Sequence, residues 1–223
     1  SLSLLHCTAT LRPTGLQALA ALEEIKVVAS RLELDAVFTS LPHLTKIDLS
    51  RNGINALPKL ADGDFAATQL RELNLSNNSL TSLPNWLAAT QLRELNLNDN
   101  ALATLPTWLS LAPLQRLSLA NNQLSQFPVE LLNCKQLTAL DLSHNDLPEL
   151  PWDLGRLNEL KVLNVEGNNR LAGATLERGR KEQLIAFLRE GLASRVPSPF
   201  LKLITLGKCK LTLLHMSWHQ ATE

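Results

Sequence analysis

The 223-residue chain balances 21 Lys and Arg against 21 Asp and Glu, and its five Phe and four Trp with no Tyr leave it poor in aromatics. A zero net charge provides no long-range field to gather nucleic acid or an anionic membrane, so neither class of partner is expected. There is no apolar run of about 18 residues to span a bilayer, and no charged segment leads into an apolar core at the N-terminus.

In chain order, residues 1–21 are leucine-rich but irregular; a weak unit starting at Leu2, with Leu5 and Cys7 in register, reads as a degenerate first repeat or N-terminal cap. The unit at Leu22, LEEIKVVASRL, keeps the apolar spacing but has Ser30 where later units have Asn. From there one pattern governs: LRELNLSNNSLTSLP at 70–84 returns nearly letter for letter as LRELNLNDNALATLP at 92–106. The same Leu-x-x-Leu-x-Leu-x-x-Asn-x-Leu-x-x-Leu-Pro spacing recurs at Leu44–Pro58, Leu114–Pro128 (with Phe127 for the late Leu) and Leu137–Pro151. The first leucines, Leu22, Leu44, Leu70, Leu92, Leu114, Leu137 and Leu160, stand 22, 26, 22, 22, 23 and 23 residues apart. The long interval places extra residues in Lys59–Asp64; Asp62-Gly-Asp64 there supplies too few oxygens for a calcium loop and reads as a turn. In the last unit one residue is inserted before Leu171, and the pattern breaks down.

This spacing, at a period of about 20–29 residues, resembles the leucine-rich-repeat superfamily. The resemblance implies an α/β solenoid over residues 22–172: a curved parallel sheet on the concave side, 3-10 or irregular returns on the convex side, and a C-terminal capping helix. Counting the first Leu as position 1, positions 3 to 7 should form a strand. Alternation then turns 4 and 6 into the core and 3, 5 and 7 outward. The Asn at position 9 should bond backbone groups of its own coil and the next. Extracellular members usually close their ends with paired cysteines. Cys7, Cys134 and Cys209 form no such cluster, which favours a reducing compartment and a cytoplasmic location. The triplets Asn74-Leu-Ser76 and Asn77-Asn-Ser79 then read as products of repeat composition, not glycan acceptors.

After the repeats, Leu184, Ile185, Leu188 and Leu192 make one apolar stripe over Lys181–Ser194, with Arg180, Lys181, Glu182, Arg189 and Glu190 toward water. Residues 173–195 are therefore assigned to the capping helix and 196–223 to a linker and strand-like tail. The wording EQLIAFLREGLASRVPSPFLKLITLG from Glu182 is similar to the junction between the repeats and the Roc GTPase domain of Roco proteins. That resemblance implies a linker at Val196-Pro197, a first GTPase strand at Leu201–Leu206 and a first loop glycine at Gly207. The following Lys-Cys-Lys-Leu-Thr-Leu-Leu has neither the second glycine nor the Gly-Lys-Ser/Thr that cradles phosphates, so GTP binding is not expected. The tail reads as truncated or aberrant sequence, with Leu203–Leu206 an unpaired strand. Leu176-Glu-Arg-Gly179 followed by Leu184–Arg189 also resembles the ending of free-standing cytosolic leucine-rich-repeat proteins. Both resemblances stay open; the Roco match extends further, through Gly207. The chain opens on Ser1, which points to a fragment.

No catalytic set, cofactor site or metal site is expected. His215-x-x-x-His219 with Cys209 lacks a fourth ligand and a paired Cys. Asp141, Ser143 and His144 are neighbours only because they follow one another along a strand and its turn. Function is expected on the concave face. Its candidate partner-binding residues are Glu24, Lys46, Asp48, Glu72, Asn74, Glu94, Asn96, Arg116, Ser118, Asp141 and Asn164, with an acidic centre at Glu72 and Glu94. Counting positions 3, 5 and 7 of every coil, six acids face three bases there, which suits a protein partner with basic groups. Trp86 and Trp108, one coil apart on the convex side, read either as packing between coils or as an exposed aromatic patch. The sequence thus predicts a non-catalytic protein-interaction scaffold, the repeat segment of a Roco-type signalling protein, or alternatively a free-standing cytosolic adaptor.

Overall fold

A computed structural model of the chain describes residues 2–5, 21–28, 41–60, 69–171, 184–186, 188–189, 192 and 200–201. Among these, one parallel sheet of eight strands runs β1 (Leu2–Leu5), β2 (Glu24–Val28), β3 (Lys46–Asp48), β4 (Glu72–Asn74), β5 (Glu94–Asn96), β6 (Arg116–Ser118), β7 (Ala139–Asp141) and β9 (Val162–Asn164) in spatial order. From β2 onward the register is constant, position 3 beside position 3, as in Glu72 opposite Glu94 and Arg116 opposite Ala139. At the first strand the pairing is Leu2 with Ile25, three residues away from a frame that starts at Leu2. With leucines at 2, 4 and 5, the sequence alone fits more than one frame there.

Within this sheet the strands from β3 onward are three residues long and not five. The ladder nevertheless runs on: Leu49 and Arg51 donate to the carbonyls of Asn74 and Ser76, and each later coil repeats the pattern. Position 8 ends it with a left-handed residue in each coil from Leu44 onward: Arg51, Asn77, Asp99, Asn121, His144 and Gly167. Asn, Asp and Gly adopt that region at least cost. At Gly167 the requirement is doubled, because a Cβ there would also strike the His144 imidazole.

The core is a stack of leucines from positions 1, 4, 6, 11 and 14; in the Leu92 coil, Leu92, Leu95, Leu97, Leu102 and Leu105 are all buried. On the convex side the returns of the four coils from Leu70 to Leu137 are 3-10 turns that follow the proline: Asn85–Ala89, Thr107–Leu111, Val129–Asn133 and Trp152–Arg156. Pro fixes φ and removes a donor, so it enters the turn without leaving an N–H unpaired.

Asparagine at position 9 joins the coils, and it reaches back, not forward. Nδ2 of Asn52, Asn78, Asn100, Asn122, Asn145 and Asn168 donates to the position-6 carbonyl of the preceding coil, as Asn100 does to Leu75 at 3.0 Å. From Asn78 onward Oδ1 accepts the position-11 amide of that coil, as from Leu80 to Asn100 at 2.9 Å. The direction follows from where those groups lie: the strand just completed and its return both belong to the earlier coil.

At the far end residues 184–186, 188–189 and 192 are helical, with Leu184, Ile185 and Leu188 buried against the last coil. The helix approaches so closely that a Cβ on Gly155 would lie 2.8 Å from the Leu188 carbonyl oxygen. Arg189, expected to point only to water, donates from Nη2 to the carbonyls of Leu157, Asn158 and Leu160 at 3.4, 3.0 and 3.2 Å. Finally, β10 (Phe200–Leu201) pairs antiparallel with β8 (Leu150–Pro151). The expected unpaired stretch Leu203–Leu206 lies outside the described residues, and Pro151 lies inside a two-residue ladder, where its missing N–H is tolerated at an edge. The Asp62-Gly-Asp64 segment, residues 173–183, and the His215, His219 and Cys209 set lie outside the described residues.

Candidate functional site: the concave face

Positions 3 and 5 of β2 to β6 line an open trough of about 440 Å³, its walls Glu24, Lys26, Lys46, Asp48, Glu72, Asn74, Glu94, Asn96, Arg116 and Ser118. The sheet therefore brings most of the expected residues together. Asp141 and Asn164 continue the position-5 row on β7 and β9.

The charges are organised laterally. Glu72 and Glu94 stand side by side on β4 and β5, and each turns to a base on its far side. Lys46 Nζ lies 2.8 Å from Glu72 Oε2, and Arg116 Nη1 donates to Glu94 Oε1 at 2.8 Å. Lys26 and Asp48 form a third pair at 3.2 Å. The hydrogen bond to Glu72 and its charge hold the Lys46 ammonium above its ordinary pKa. Burial pushes the Asp48 carboxyl up, but the Ser50 amide and hydroxyl and Lys26 outweigh it and hold the carboxyl below its usual value. The acidic centre is thus flanked by cations, with one base on the outer side of each carboxylate.

The position-5 residues have a second task. Asp48, Asn74, Asn96, Asp141 and Asn164 each accept, through Oδ1, the amide two residues on, at 3.0, 3.1, 3.1, 2.9 and 3.4 Å. Such a side chain forms an Asx turn that starts the bend out of the strand. At Ser118 the pattern changes: Asn98 of the previous coil supplies the oxygen to Ala120 N, at 2.8 Å. Position 7 does not simply face outward, although Glu166 is exposed and Asn98 half-buried. Ser50, Ser76, Ala120 and Ser143 are buried, contrary to strict alternation. The Ser143 hydroxyl is spent on Asp141 Oδ1 at 2.6 Å, while Asn164 Nδ2 donates to Asp141 Oδ2 at 3.1 Å. Asp141 is an organiser of the bend.

An aromatic patch on the convex side is not what the Trp pair presents. Trp108 is 7% exposed and belongs to the core, while Trp86 is half-buried and donates from Nε1 to the Pro58 carbonyl at 2.8 Å. Each ring packs because its neighbour, Leu87 or Leu109, anchors the same 3-10 turn inward. Exposed apolar side chains stand elsewhere: Leu111 and Val129 on the convex turns and Val162 on β9. The sequence signal for them was the mismatch within a column, since Leu111 aligns with Ala89 and Asn133, and Val129 with Asn85 and Thr107. Among the described residues no three or more His, Cys, Asp or Glu are grouped to hold a metal ion, and no helix is long and apolar enough to cross a membrane.

Stacked coils with a continuous parallel sheet, a position-9 Asn ladder and proline-led returns define a leucine-rich-repeat solenoid. The family profile described as Leucine rich repeat matches residues 42–102 and 90–147. No curated protein matches the chain. Among solved structures it is similar to a leucine-rich-repeat protein of Leptospira interrogans (24% identity over 75% of this chain and 48% of that one, TM-score 0.60). It is also similar to TLR13 in its complex with ssRNA13 (28%, 70% of this chain and 23% of that one, TM-score 0.58). A third is an internalin of Listeria monocytogenes (22%, 73% and 48%, TM-score 0.54). The chain spans about half of those proteins' length or less.

Proposed function

We propose that the chain is a non-catalytic protein-interaction module that holds a partner protein, through basic groups, on its concave face. Leucine-rich-repeat proteins generally mediate protein–protein contacts, and the observation that carries the reading here is the trough at β2 to β6. Its central carboxylates, Glu72 and Glu94, are adjacent and half-exposed. Each has a base only on its outer side, in an exposed and solvent-screened pair, which leaves the space between the two carboxylates for a cation from outside. The TLR13 structure contains an RNA. Carboxylates at the middle of this trough favour a protein instead, because nucleic-acid affinity comes from Lys and Arg that neutralise phosphates.

Two settings of the module remain. The wording of residues 182–207 supports a Roco-type signalling protein. The wording of Leu176–Gly179 and Leu184–Arg189 supports the alternative, a free-standing cytoplasmic adaptor. Affinity capture with the wild-type chain and with the Glu72→Lys, Glu94→Lys double variant tests the concave reading. Loss of the captured protein supports it, and an unchanged set of proteins overturns it.

A further inference from the structure

The position-3 row changes character along the sheet. Charged from Glu24 to Arg116, it continues as Ala139 on β7 and Val162 on β9. Val162 is 54% exposed, one of three large apolar side chains so placed among the described residues and the only one of the three on the concave row. It is not an unfinished piece of core, because Leu163 on the same strand and Val165 just after it are buried. Ala139, beside it in register, is too small to screen it.

The face therefore offers two unlike features a fixed distance apart. One is the Glu72–Glu94 pair, whose bonds to half-exposed Lys46 and Arg116 are of the solvent-screened kind that exchange readily. The other is the apolar step at Ala139 and Val162. Three strand intervals of about 4.8 Å separate Glu94 from Val162, about 14 Å in all. Extended chain covers that span, plus the half-interval to a point between the two carboxylates, in about four to five residues. A second copy of the same face is a poor occupant: antiparallel apposition sets Glu72 against Glu94 and Lys46 against Arg116.

We infer that the concave face takes an extended segment of a partner protein that carries a Lys or Arg and, about four to five residues away, a large aliphatic or aromatic side chain. The cation lies between Glu72 and Glu94, and the apolar side chain covers Ala139 and Val162. This deepens the concave-face reading and rests on it.

The test is selection of a random 16-residue displayed peptide library on the full chain, followed by affinity measurement of the peptides recovered. Binders are expected to share a Lys or Arg four to five residues from a large apolar side chain. Both Val162→Ser and the Glu72→Gln, Glu94→Gln pair should weaken them about tenfold or more, with the circular dichroism of each variant unchanged. Binders that depend on Glu72 and Glu94 but not on Val162 overturn this inference and leave the concave reading standing. Binders indifferent to both variants, or a library that yields none, overturn the inference and count against the concave reading too. Should Val162→Ser alter the fold, Val162→Thr, which keeps the branched shape, replaces it.

Discussion

Glu72 and Glu94 lie in register on adjacent strands, and neither faces the other: one is held by Lys46 and the other by Arg116, both at 2.8 Å. The arrangement leaves two carboxylates at the centre of the face with cations only on their outer sides. The pairs are exposed, so removing one base, as in Lys46→Gln, should change stability by no more than about 1 kcal/mol. Thermal denaturation of the variant checks this. The Lys46 ammonium titrates above its ordinary range because Glu72 binds its charged form. Its small contribution is therefore fully present below the usual lysine pKa and is lost as pH rises through the raised one. An NMR titration of Lys46 should show the raised pKa fall back in Glu72→Gln.

The Asn ladder should matter more than any surface pair. Asn100→Ala removes donors from the Leu75, Leu97 and Asn98 carbonyls and the acceptor from Leu80 N. A buried group left unsatisfied costs about 1–3 kcal/mol, so urea denaturation should show a loss of at least that order. Asn100→Asp should be worse, because it keeps the acceptor but turns a carboxylate oxygen toward three carbonyls. For scale, Leu95→Ala in the core beneath should cost about 2–5 kcal/mol.

The substitute capping at Ala120 is open to a direct test. Asn98→Ala should destabilise by about 1 kcal/mol, since Ala120 N then loses Asn98 Oδ1 and a Ser hydroxyl at 118 replaces it only weakly. Adding Ser118→Asn restores the usual donor–acceptor pair within the coil and should recover most of the loss. A double-mutant cycle measured by chemical denaturation resolves it.

Gly155→Ala probes the seat of the terminal helix. A methyl 2.8 Å from the Leu188 carbonyl must push the helix outward, at a cost of about 1–3 kcal/mol. Hydrogen exchange should quicken at 184–192 and leave the Leu92 coil unchanged, because repeats feel mainly their neighbours.

Cys134 gives a pH signature. Burial pushes its thiol from 9.0 up to about 11. The unfolded chain ionises first, so this residue's contribution is whole below pH 9 and declines from there to about pH 11. Native protein should resist a thiol reagent at pH 8 that labels Cys134 once it is unfolded.

The spacing of leucines made the coils, the inward positions and the parallel register from β2 onward legible, since one pattern serves every coil. Local side-chain work was not legible. Nothing in the letters Asn74 and Ser76 distinguishes a recognition residue from one that accepts or donates within a bend, yet the first holds the amide of the second and the second is buried. Asp48 and Asp141 were counted as acids facing a partner, and both spend an oxygen on the bend. Counting charges also missed that the bases stand where they can reach the acids. The position-3 row remains as the part of the face least occupied by the fold itself.

The most direct test of the account compares two double variants against a protein captured by the wild-type chain. Glu72→Lys with Glu94→Lys alters the middle of the trough; Leu111→Ser with Val129→Ser alters the exposed apolar side chains of the convex turns. The account predicts that the first abolishes binding and the second leaves the dissociation constant unchanged. Binding that survives the first and is lost with the second would contradict it.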